Sequence, residues 1–158
     1  MVGEEEFRRV MGYFATGVTV VASLDREGGA VGLTVNAFTS VSLDPPLVLV
    51  CLHRDAYAHD PLLEAGHFGV SFLKEDQGAL ALRFSRDEPA LRFRNLDLDE
   101  GPLGSPLLPG ALAWVECEVS EVHPGGDHSI VVGRVVAGRS HEGEPLVFFR
   151  GALMGGDP

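Results

Sequence analysis

Residues 111–140, "ALAWVECEVSEVHPGGDHSIVVGRVVAGRS", carry the clearest β pattern in the chain. Ala113, Val115, Cys117 and Val119 alternate with Trp114, Glu116, Glu118 and Ser120, and this period of two predicts a strand with one apolar face and one wet face. "HPGGD" (123–127) turns the chain into "HSIVVGRVVAGRS" (128–140), "HEGEP" (141–145) turns it again, and "LVFFRGAL" (146–153) closes the series. Such a meander, joined to upstream strands, predicts an antiparallel barrel of six or seven strands.

Upstream, "GVTVVASL" (17–24) and "AVGLTV" (30–35) flank the turn "DREGG" and read as a hairpin. "PLVLVCL" (46–52) is a continuous apolar run of strand length, which predicts burial on both faces. In "EEEFRRVMGYF" (4–14), Phe7, Val10, Met11 and Phe14 fall at i, i+3, i+4 and i+7, the spacing of one apolar helix face. Two further helices are expected over 56–66, where Pro61 marks an interruption or restart, and over 74–84, separated by a strand at 67–73. Residues 85–110 are rich in Pro, Gly, Arg and Asp with little periodicity, as expected for a long functional loop or an irregular cover. No repeat or linker interrupts the sequence, so one domain over 1–158 is the expectation.

A chain of 158 residues buries roughly two thirds of its unfolded surface and needs no metal or disulfide staple. Cys51 and Cys117 both lie inside apolar strand patterns, as reduced core thiols do. Twelve Lys and Arg against 23 Asp and Glu give a net charge of −11, which repels nucleic acid and anionic membranes. A small anionic ligand remains compatible with that field, because a few arginines in a cleft override it locally. The glutamate-rich start lacks the basic and apolar regions of a signal peptide, and no run of about 18 apolar residues occurs, so a cytoplasmic protein is expected.

Candidate chemistry is sparse. His53, His59, His67, His123, His128 and His141 show no HxxxH or HExxH spacing, and neither a GxSxG elbow nor a GxGxxG turn is present. The stretch "GLTVNAFTSVSLDPPLVLVCL" (32–52) is different. Thr34 and Asn36 share one side of an extended chain, so a hydroxyl and an amide can converge on the polar edge of a flavin or pterin; a wet outer face with a turn at Ser40 to Pro46 fits the same pattern. Asp127-His128 reads either as a ligand contact projecting from a hairpin mouth or as a solvated turn. Arg83, Arg86, Arg92 and Arg94 read as a phosphate clamp or, with Asp87 and Glu88, as a solvated charge cluster.

Five segments in order, "FRRVMGYFATGVTVVAS" (7–23), the 32–52 stretch, "HFGVSFLKEDQGALALRF" (67–84), "GDHSIVVGRV" (126–135) and "PLVFFRG" (145–151), resemble the flavin reductase family, especially the small reductase components of two-component flavin monooxygenases. The resemblance implies a mainly β, FMN-binding split barrel with a few helices that dimerises. It further implies a flavin, FMN or FAD with FMN the first choice, held at the dimer face and reduced by hydride from NADH or NADPH, with a monooxygenase as partner. Thr34, Val35, Asn36 and Ala37 match the family's contacts to the flavin ring and ribityl chain, and Cys51, Leu52, His53, Arg54, Asp55 and Ala56 match the strand end that continues along it. Arg83 matches a basic position near the flavin tail. His128 matches the histidine beside the nicotinamide nucleotide, and Ser40, Phe148, Phe149 and Arg150 match positions on that same side. Where relatives carry phosphate-binding Ser or Thr this chain has Asp55, Ala56 and Ala58, and Phe148-Phe149 stands where tyrosines are frequent. Neither a catalytic acid or base nor a metal ligand is implied.

Overall fold

The computed structural model describes residues 1–155. Helix α1 (Glu4–Met11) leads into β1 (Thr16–Gly17), β2 (Thr19–Leu24), β3 (Ala30–Val35), β4 (Phe38–Leu43) and β5 (Pro46–His53). Then come α2 (His59–Ala65), β6 (His67–Phe72), α3 (Gly78–Arg86), a helical turn at Pro89–Leu91, and the short strands β7 (Asp99–Glu100) and β8 (Pro106–Leu107). The chain ends on the long hairpin β9 (Ala113–Gly125) and β10 (His128–Ser140), followed by β11 (Val147–Phe149) and β12 (Ala152–Met154).

Seven strands form one antiparallel sheet in the order β3-β2-β6-β9-β10-β5-β4. Its two edge strands, β3 and β4, are consecutive in the chain and joined only by Asn36-Ala37. The sheet therefore curls until its edges meet at a seam without pairing, which is the split barrel. Val21, Val50, Leu52, Phe68, Val70, Cys117 and Val131 fill the interior, and a second cluster of Val18, Val20, Leu73, Ala81, Phe84, Leu108 and Leu146 packs where α3 covers the sheet. The turn of the long hairpin is Gly126-Asp127, with Gly126 at φ 68°, the positive value a type II′ turn requires at its first central position.

Four expectations change on inspection. Glu116, assigned above to a wet face, is wholly buried because the segment carrying β7 and β8 folds over it. The 46–52 run is covered completely on one face only: Val48, Val50 and Leu52 are buried, whereas Leu47, Leu49 and Cys51 are half-buried. The helices are shorter or displaced; α2 starts at His59 with Pro61 in its first turn, where its missing N–H costs nothing, and α3 starts only at Gly78. The closing strand is broken at Arg150 and Gly151, both at positive φ, so β12 folds back on β11, which pairs with β1, in a separate three-stranded sheet.

Packing inside the barrel is tight at β10. A Cβ on Gly133 would lie 2.7 Å from Phe68 Cζ and 2.8 Å from Cys117 Cβ. Gly133→Ala is therefore expected to lower the unfolding free energy by about 1–3 kcal/mol through overpacking, read as a drop in urea midpoint. Cys117 beside it is an inert thiol, pushed up to about 12 by burial and by the neighbouring Glu116 charge.

Candidate functional site

The seam between β3 and β4 opens onto a cavity of about 430 Å³. Thr34 and Asn36 line it from the sheet, Ala81, Leu82, Ser85 and Arg86 from α3, and Phe148, Gly151 and Leu153 from the small sheet. Three elements distant in sequence thus converge where the barrel cannot close. Asn36 and Val18 also line a second, more apolar cavity of about 360 Å³ that reaches Phe14, Phe38 and Phe72, so the Asn36 amide stands on the wall between the two.

The polar groups of the seam differ in availability. Thr34 Oγ1 donates to the Ala81 carbonyl at 2.6 Å, which ties β3 to α3 and leaves only the hydroxyl lone pairs for a ligand. Asn36 is exposed, and its Nδ2 makes one long bond to Thr16 Oγ1, 3.4 Å, so its amide is free to engage a ring edge in the cavity. Val35 and Leu52 point into the core, and Thr19 Oγ1 donates to the Val35 carbonyl at 2.6 Å. Ala37 sits against Cys51, whose N–H donates to the Ala37 carbonyl at 3.0 Å; burial pushes the Cys51 thiol up, so it too is a packing group.

One strand further, β5 and β10 pair His53 with His128 at the barrel rim. His128 Nδ1–H donates to Asp127 Oδ1 at 2.6 Å, His53 Nε2 lies 3.8 Å from Asp127 Oδ2, and the two rings meet edge to face with centroids 5.1 Å apart. The His128 bond holds the Asp127 carboxyl below the usual carboxylate range, and in turn fixes the ring with Nε2 outward. Arg54 clamps the turn through its N–H to the Asp127 carbonyl, 3.0 Å, and its guanidinium to the Gly126 carbonyl. Asp55 N–H donates to His53 Nδ1 at 3.1 Å, and Ala56 N–H to the His53 carbonyl at 3.0 Å. This loop is closed on itself by hydrogen bonds that the sequence pattern does not reveal.

The remaining candidates separate. Phe148 enters the cavity, but Phe149 packs edge to face on Tyr13 at 6.1 Å and Arg150 lies over the same ring at 4.9 Å, so these two anchor the chain after α1. Ser40 is exposed on β4 opposite Val48. Arg83 lies outside the cavity lining, with Nη1 directed at the carbonyls of Arg94, 3.1 Å, and Arg92, 3.5 Å. Arg92 binds the carbonyls of Asp87 and Gly32 at 3.0 and 2.9 Å, and burial lowers its pKa against the opposing pull of Asp87. Among the described residues no three or more His, Cys, Asp or Glu side chains gather to hold a metal ion, and no helix is long and apolar enough to cross a membrane.

Residues 11–157 match the flavin reductase like domain, and the chain belongs to that family. It is 44% identical over 147 residues to the FMN reductase (NADH) SmoA of Agrobacterium fabrum, covering 93% of this chain and 83% of that protein. It is 39% identical over 158 residues to HsaB, the reductase subunit of a flavin-dependent monooxygenase from Rhodococcus jostii, covering 99% and 80%. The solved NADH:FAD oxidoreductase of Streptomyces globisporus, in complex with NAD and FAD fragments, superposes with a TM-score of 0.90 at 37% identity, covering 100% of this chain and 97% of that one.

Proposed function

We propose that this protein is an NAD(P)H-dependent flavin reductase whose flavin lies along the seam at Thr34–Ala37. The observation that carries the proposal is the cavity itself: its volume, its mainly apolar walls and the single uncommitted amide of Asn36 suit a planar ring with one polar edge. Bound there, the flavin supplies the chemistry, accepting hydride from the nicotinamide.

The chain's own residues have two tasks. Asn36 orients the ring and donates toward the pyrimidine edge, where negative charge grows on reduction. Phe148 on the cavity wall is assigned to the second ring, as are His53 and His128 at the rim, outside that cavity's lining, with His128 held in one orientation by Asp127. No side chain has to give or take a proton, consistent with a site that holds no buried acid–base pair.

The relatives' names support FMN as the flavin, with FAD also handled by family members, NADH as a reductant, and a monooxygenase as the recipient of reduced flavin. We propose in addition that the chain acts as one domain and as a homodimer. Phe7, Val10, Met11, Tyr13 and Phe14 form an apolar surface around α1 that this single chain leaves exposed, and a second copy would bury it. Catalytic amounts of the protein with FMN and NADH, followed by loss of NADH absorbance, should give turnover that saturates in both substrates; a rate equal to that without protein would overturn the proposal.

A further inference from the structure

The chain has 12 cationic side chains against 23 acidic ones, so where each cation is engaged matters. Arg9, Arg26 and Arg134 are paired with Glu6, Glu64 and Glu118. Arg54, Arg83 and Arg92 are turned to backbone carbonyls. Arg86 is the one cation in the lining of the seam cavity, beside Thr34, Asn36 and Phe148, and among the described residues it shares with several other cations the lack of a carboxylate within ion-pair distance. Its place in the last turn of α3 is electrostatically favourable for a cation. The next residue, Asp87, faces Arg92 and raises that residue's pKa.

A lone guanidinium beside an uncommitted amide, in a chain of net charge −11, is a local reversal of sign. In the loop after β5, the Arg54 guanidinium is turned to the Gly126 carbonyl, Asp55 is acidic, and Ala56 and Ala58 carry no hydroxyl. We propose that Arg86, rather than Arg83, holds the phosphate group of a nucleotide bound in the seam cavity. Guanidinium and phosphate match as a charge-assisted, bidentate pair. The inference rests on the flavin-site reading above and deepens it by assigning the phosphate contact. The phosphate can belong to the flavin or to the nicotinamide nucleotide, and the test separates the two.

Riboflavin, FMN and FAD are titrated into the wild type, Arg86→Gln and Arg83→Gln by flavin fluorescence, and the KM for NADH and NADPH is measured with riboflavin as acceptor. Loss of FMN affinity by about 10- to 100-fold in Arg86→Gln, with riboflavin affinity unchanged, assigns the flavin phosphate. A KM raised by a similar factor for a nicotinamide nucleotide, with both flavin affinities unchanged, assigns the contact to that nucleotide. Equal weakening of riboflavin and FMN, no change in any ligand, or the phosphate preference vanishing in folded Arg83→Gln and not in Arg86→Gln would each overturn the assignment while leaving the flavin site standing. Absence of flavin binding by the wild type would overturn both.

Discussion

Glu116→Ala should cost about 3–5 kcal/mol of unfolding free energy, the largest stability loss expected from any single change discussed for this fold. Glu116 is wholly buried in β9, and its two carboxylate oxygens accept the backbone N–H groups of Leu103 and Ser105, each at 2.8 Å. Among the described residues no lysine or arginine pairs with it; the carboxylate is held by peptide dipoles. Removing the carboxylate strands the buried Ser105 N–H and the partly buried Leu103 N–H and leaves a void where the 101–105 turn packs. The contact is also sterically exclusive, since a Cβ on Gly101 would fall 2.4 Å from the Glu116 carboxyl group. Glu116→Gln keeps one acceptor and should lose about 1–3 kcal/mol. Urea unfolding checks both; a loss below about 1 kcal/mol for Glu116→Ala would show that the loop is held by other contacts.

The second large effect concerns binding. Asn36→Leu should weaken FMN uptake by about 10- to 100-fold, because a buried ring edge would face a methyl group in place of an amide. Stability should move by no more than about 0.5 kcal/mol, since Asn36 is exposed and its single long bond to Thr16 contributes little. Fluorescence titration of the folded variant decides the matter. Unchanged FMN affinity would mean that the seam amide is only structural.

Much of this arrangement was legible in the sequence, for a physical reason. Hairpin strands write their pairing as period-two alternation and turn residues, so 17–35 and 111–140 could be read locally. Thr34 and Asn36 stood out because a hydroxyl and an amide at i and i+2 must share one side of a strand. Burial of Glu116 was not legible, because only the path of the distant 99–107 segment turns that face inward. The engagement of Arg83 was equally hidden: its guanidinium turns to the carbonyls of Arg92 and Arg94, and loop carbonyls leave no mark in residue types. The exposed apolar face of α1 reads in sequence as core spacing, and the single chain shows instead a surface awaiting cover.

Family membership adds weight where local pattern is silent. The Asp127-His128 turn could be a solvated hairpin tip by composition, but the structure sets it beside His53 and one strand from the Ala37–Cys51 contact. Rim and seam are therefore neighbouring parts of one sheet end.

The most direct test is anaerobic mixing of the FMN-loaded protein with NADH and with NADH deuterated at nicotinamide C4, following the visible absorbance of oxidised flavin. Hydride transfer at the seam predicts bleaching far faster than for free FMN and slowed by deuterium on the transferred position. Bleaching no faster than the free-flavin background with either nucleotide would contradict it.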